Sequence, residues 1–176
     1  HLGSKSQLII NPKGEFIKEV NIKPILPRKN IKDLIENENV KVFGTVVQLF
    51  EPRFYEVCPE CGKRTKLTDQ NYVCDEHKKI SPKLVPVVNM FFDDGTANIR
   101  VVCFKDAAES LLNMNSNAIA NLKGNPEEFE ILKKEILGKQ LLIEGRTVNN
   151  QFFNNTEIIA RNITEPNPLE IKEILS

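Results

Sequence analysis

The stretch from Glu56 to His77, EVCPECGKRTKLTDQNYVCDEH, limits what this chain can fold into more than any other. Cys58-x2-Cys61, twelve intervening residues, then Cys74-x2-His77 is the spacing of two metal-gripping knuckles, and Gly62 eases the tight turn after the second Cys. Thiolates and an imidazole suit one tetrahedral Zn2+. Four protein ligands leave no position for a substrate water, so the expected ion is structural. Its binding would supply on the order of 10 kcal/mol or more to a loop with little core of its own. Free thiols or a disulfide are the alternative, but two complete pairs in a chain that reads as intracellular favour a metal. The fourth cysteine, Cys103, alternates with Ile99 and Val101 in NIRVVCF and reads as a buried strand residue.

The segments around this loop are those of a β-rich domain. VKVFGTVVQLF (40–50) is β-branched with an interior Gly, as in a long strand that bends. LVPVVNMFFDDGTANIRVVCF (84–104) reads as two strands around an Asp-Asp-Gly turn. KDAAESLLNM and NPEEFEILKKEIL read as helices, the second opening with an Asn cap and acids in its first turn. KQLLIEGRTVNN and NTEIIARNIT form a last hairpin around NNQFFNN. Ahead of these, QLIINPKGEFIKEV (7–20) suggests a hairpin and IKDLIENE (31–38) a short helix. The expected fold is mainly β: a five-stranded Greek-key barrel of the OB type, with a zinc-ribbon insertion between strands 1 and 2 and helices between strands 3 and 4. Domain bounds follow: HLGS at 1–4 as a tag or linker scar, which takes in His1, and an N-terminal extension over 5–38. The barrel spans 39–165 with the zinc module at 56–80, and a helix starts within 166–176. The absence of an initial Met fits a piece of a longer protein.

No apolar run approaches the roughly 18 residues of a membrane span, and no signal peptide opens the chain. Net charge is zero, which argues against coating nucleic acid by bulk electrostatics. Alternation suggests something more local. With Ile99, Val101 and Cys103 inward, Arg100, Val102 and Phe104 face out. A ring beside a guanidinium on a barrel strand can stack a base and meet phosphate. Phe152 and Phe153 of NNQFFNN are candidates for closing over a strand, and Lys105, Arg146, Arg53, Lys63, Arg64 and Lys66 for phosphate contacts. Against this, Phe on short β runs is more often core, and scattered Lys and Arg are mostly solvated surface. Enzyme readings fare worse: the ligand set is closed, no His-x-Glu pair exists, and the remaining His is committed. No basic helix follows the loop to read duplex DNA.

From VVQLFEPRFYEVCPECGKR through YVCDEHKKISPKLVPVVNMFFDDGTANIRVVCFKDAAESLL to GKQLLIEGRTVNNQFFNNTEIIARNITEPNP, the chain resembles the zinc-containing C-terminal OB domain of the replication protein A large subunit. The likeness covers roughly residues 40–168. It implies a non-catalytic single-stranded DNA-binding domain that protects the strand in replication, repair and recombination, inside the cell (cytoplasm or nucleoid if archaeal, nucleus if eukaryotic). Phe104 falls at the family's stacking aromatic, Arg100 at a base-contacting position, and Phe152 or Phe153 at a second aromatic. Cys58, Cys61, Cys74 and His77 match the zinc ligands, with His77 where eukaryotic members usually have Cys. Arg100 stands where an aromatic can occur, which implies fewer stacked bases. In the family a helix after the barrel packs against two smaller subunits, so Ile171, Ile174 and Leu175 are candidates for that face. An assembly module with weak DNA contact is the alternative function.

Overall fold

In this computed structural model the described residues are 26–151, 154–168 and 172. The long strand β1 (Asn39–Leu49) runs first against β8 (Gln140–Asn150) and then against β6 (Lys83–Asp93). Gly44 sits at that handover. A Cβ there would lie 2.5 Å from the Asp93 carbonyl oxygen, so only Gly lets β1 touch both neighbours. β6 turns through residues 94–97 into β7 (Asn98–Phe104), which pairs in parallel with β9 (Asn155–Thr164), and β9 pairs with β8. The ring therefore closes as β1-β6-β7-β9-β8-β1, a five-stranded Greek-key barrel of the OB type.

The strands fold this way because alternate side chains fill one interior. Val40, Val42, Val46, Leu49, Val88, Met90, Phe92, Val101, Ile143 and Ile158 are buried together there. Cys103 joins them, and burial pushes its thiol up to about 12. Between β7 and β8 lie α1 (Lys105–Leu112), α2 (Ser116–Asn121) and α3 (Pro126–Ile136). α3 has the expected cap, with the Asn125 side chain accepting from the Glu128 N–H and Pro126 in the first turn. Ile119, Phe129 and Ile136 from α2 and α3 are buried in the same core. α2 was not expected from the sequence.

Two further differences bear on the site. Residues 31–38 form only a single 3-10 turn, Ile31–Asp33, rather than a short helix. Asp94 accepts from the Ile31 N–H at 2.7 Å, and Ile31 itself is buried in the barrel core. Second, β1 does not lead straight into the Cys/His loop. Residues Arg53–Val57 form an extra strand, β2, paired with the first half of β6. The loop follows β2 and carries its own small sheet of β3 (Lys66–Thr68), β4 (Asn71–Cys74) and β5 (Lys78–Ile80), inserted between the first two barrel strands as expected.

Candidate nucleic-acid interface and metal site

The small sheet brings the four expected ligands together. Gly62, at φ +71, lets the chain turn so that its N–H donates to the Cys58 carbonyl at 2.8 Å. His77 Nδ1 lies 3.5 Å from Cys58 Sγ and 3.8 Å from Cys74 Sγ, and Cys61 Sγ is 3.5 Å from Cys74 Sγ. All four ligand atoms fall within 4.8 Å of one another. A tetrahedron built on Zn–S and Zn–N bonds of their usual lengths has edges of about 3.5–3.8 Å, so the set fits one such ion. The N–H groups of His77 and Glu76 hold the Cys74 thiol down at about 6. At Cys61 the Lys63 N–H also favours the thiolate, but burial and the neighbouring thiols outweigh it and push the group up to about 11. A cation would relieve that conflict. Glu60, which the knuckle spacing does not single out, places a carboxylate oxygen 3.1 Å from His77 Nε2 and so fixes the ring with Nδ1 toward the sulfurs.

The second feature is a groove on the outer face of β2, β6, β7 and β9. On β7, Ile99, Val101 and Cys103 are buried, and Arg100 and Phe104 face the other way, as alternation requires. Val102 also points outward yet is covered by its neighbours in the groove floor. Phe104 ends β7 and precedes α1, which leaves its ring 40% exposed at the groove mouth. Its edge meets Tyr55 of β2, ring centroids 6.1 Å apart and planes at 83°. At the other end Phe50 and Phe91 form a second edge-to-face pair, 5.9 Å and 60°. Between these pairs lie Arg53, Arg100, Asn89 and Glu157, and Arg64 of the metal loop reaches the same groove. The two connected hollows measure about 350 and 480 Å³.

Arg53, Arg64, Arg100 and Phe104 thus come together as expected. Others do not join them. Lys63 pairs with Glu76 at 2.5 Å, and Lys105 with Asp106 at 3.4 Å, so both charges are partly spent. Arg146 is exposed on β8, opposite Ile159, and does not line the groove. Phe152, Phe153, Ile171, Ile174 and Leu175 lie outside the described residues. Phe50, Tyr55, Asn89 and Glu157 were not expected, and Phe91, whose facing the sequence leaves open, lines the groove. Tyr55 and Arg53 depend on β2, and the RFYEV alternation was the signal that could have exposed it.

A family model described as the Replication factor-A C terminal domain matches residues 39–174. Replication factor A of Methanothermobacter thermautotrophicus is 26% identical over 116 residues, 64% of this chain and 14% of that protein. The chain therefore spans about one seventh of that relative's length. Among solved structures, a chain of a replication protein A heterotrimer bound to ssDNA superposes with a TM-score of 0.70 at 18% identity, over 86% of this chain and 39% of that one. Yeast replication protein A bound to ssDNA superposes at 0.64, also 18% identical, over 87% and 96%. At such identities the two superpositions establish the fold, which agrees with the strand order above.

Proposed function

The chain belongs to the replication factor-A C-terminal domain family, and from that premise we propose that it is a non-catalytic domain that binds single-stranded DNA within a replication protein A complex. The observation that carries this reading is the groove: two aromatic pairs 50/91 and 55/104 flank a floor of arginine and amide side chains. Exposed ring faces stack unpaired bases, while Arg53 and Arg64 neutralise the phosphates that connect them. Phe104 is the principal stacking residue. A duplex keeps its bases stacked inside and offers nothing to such rings. The two solved relatives bound to ssDNA support the same ligand.

In this reading Cys58, Cys61, Cys74 and His77 hold one structural zinc ion, which fixes the loop that presents Arg64 to the groove. The heterotrimeric relative supports other subunits as partners, with Ile171, Ile174 and Leu175 as the proposed contact face. Work on a DNA strand places the protein inside the cell.

The test is Phe104→Ala, followed by fluorescence anisotropy of a labelled single strand. Stacking contributes about 1–3 kcal/mol per base, so Kd is expected to rise about 5- to 150-fold. The ring is 40% exposed and lies outside the barrel interior, so folding should survive. An unchanged Kd with the fold intact would remove Phe104 from the interface.

A further inference from the structure

The groove floor contains a carboxylate where a surface built only to hold phosphate would avoid one. Glu157 is 9% exposed and lies on the groove face of β9, since its neighbour Ile158 points into the core. It lines the same hollow as Phe104, Tyr55 and Arg100. Asn150 Nδ2 donates to Glu157 Oε2 at 3.0 Å, and Arg100 Nε stands 3.9 Å from that same oxygen. Oε1 is thereby the oxygen available to a bound base. Arg100 is held in turn by Asn89, whose Oδ1 accepts from Nη2 at 3.0 Å and Nε at 3.3 Å. Asn89, 7% exposed, thus spends its acceptor on Arg100 and keeps its Nδ2 donors for another partner.

We propose that Asn89, Arg100 and Glu157 form a base-edge reader in the groove floor that selects cytosine over thymine. The inference rests on the single-strand-binding reading of this groove. Its logic is the match of donors and acceptors. Cytosine offers an N4 amino donor beside N3 and O2 acceptors, which answers a carboxylate flanked by amide and guanidinium donors. Thymine puts the O4 acceptor where cytosine has its amino group, so the carboxylate would face a second acceptor with no proton between them. Phosphate is repelled by the same carboxylate, which keeps the backbone toward Arg53 and Arg64 at the groove margin. Arg100 consequently serves the base edge more than the phosphate.

The test compares labelled oligo-dC and oligo-dT of about 12 nucleotides on this chain at one salt concentration and pH 7.5, where cytosine is unprotonated. A correct pairing is expected to favour dC about fivefold to tenfold, the lower end of what a good bidentate contact gives. Glu157→Gln keeps the shape and the Asn150 contact, and should bring the dC/dT ratio to within about twofold of one, mainly by improving dT. Asn89→Leu, which leaves the carboxylate in place, should weaken dC more than dT. Equal binding of dC and dT by the unsubstituted chain, or a dT preference, would overturn this inference and leave the single-strand reading standing. Binding of neither strand would overturn both.

Discussion

Removing Arg53 should flatten the salt dependence of strand binding by a calculable amount. Two guanidiniums at the groove, Arg53 and Arg64, have no ion-pair partner among the described residues, whereas Arg100 has Glu157 at 3.9 Å and donates to Asn89. Each neutralised phosphate on a single strand contributes about −0.7 to the slope of log K against log salt, so two such contacts give about −1.4. Between 50 and 200 mM salt, that slope corresponds to a loss of about sevenfold in affinity. Arg53→Ala should leave a slope of about −0.7 and a loss of about 2.6-fold. Arg53 is exposed at the start of β2, so its loss should not disturb the barrel. The assay is a titration series of a labelled single strand at four or more salt concentrations, with Phe104→Ala as the control that weakens binding without changing the slope. A slope in Arg53→Ala equal to that of the unsubstituted chain would refute the path of the phosphates past β2. A slope in the unsubstituted chain steeper than about −3 would mean that the lysines tied to Glu76 and Asp106 carry the contact instead.

Three other outcomes follow from the geometry. The purified chain should carry one zinc per molecule by elemental analysis. A chelator or Cys74→Ser should unfold the loop around β3–β5 while the barrel's far-ultraviolet signal largely persists, because the buried core of the barrel does not depend on that small sheet. Gly44→Ala should lower the urea midpoint by an amount equivalent to about 1–3 kcal/mol, since the new methyl meets the Asp93 backbone at 2.5 Å and Phe92 at 2.9 Å. At Asp94 burial opposes the charge, but the N–H groups of Ile31, Thr96 and Ala97 outweigh it and hold the carboxyl below its ordinary range. The folded state therefore gains stability from Asp94 above the ordinary carboxylate pKa of about 3.9 and loses it as pH falls through the depressed folded value. Asp94→Asn should be less stable at neutral pH and show a shallower acid transition in denaturant titrations.

What was legible in the sequence divides along a physical line. Periodicity of two in NIRVVCF marked which side chains of β7 face the core, and the knuckle spacing picked out the four Cys and His side chains that the fold brings together, because both signals are local. The partners of Phe104 and the far end of the groove were not legible. Tyr55 meets Phe104 only because β2 pairs Arg53 with Val87 and β6 pairs Val87 with Phe104, a register that spans some fifty residues of chain. Phe91 and Phe92 are adjacent and chemically alike, and only the barrel's closure decides that Phe92 is buried while Phe91 lines the groove. Glu157 is a polar residue on an outward position, which reads as solvated surface until Arg100 and Asn150 are seen around it. Short α2, whose Asn115 cap accepts from the Ala118 N–H, owes its place to Ile119 in the core rather than to any long apolar stripe.

A competition between single-stranded and duplex DNA decides whether the groove takes unpaired bases. A labelled mixed-sequence strand of about 12 nucleotides would be bound to the zinc-loaded chain and challenged with unlabelled duplex of equal length at fixed salt. Stacking on Phe104, Tyr55, Phe50 and Phe91 needs unpaired bases, so unlabelled single strand should displace the label and duplex should not. Displacement by duplex at the same concentration as by single strand, or no binding at micromolar protein with the fold intact, would contradict the single-strand reading of the groove.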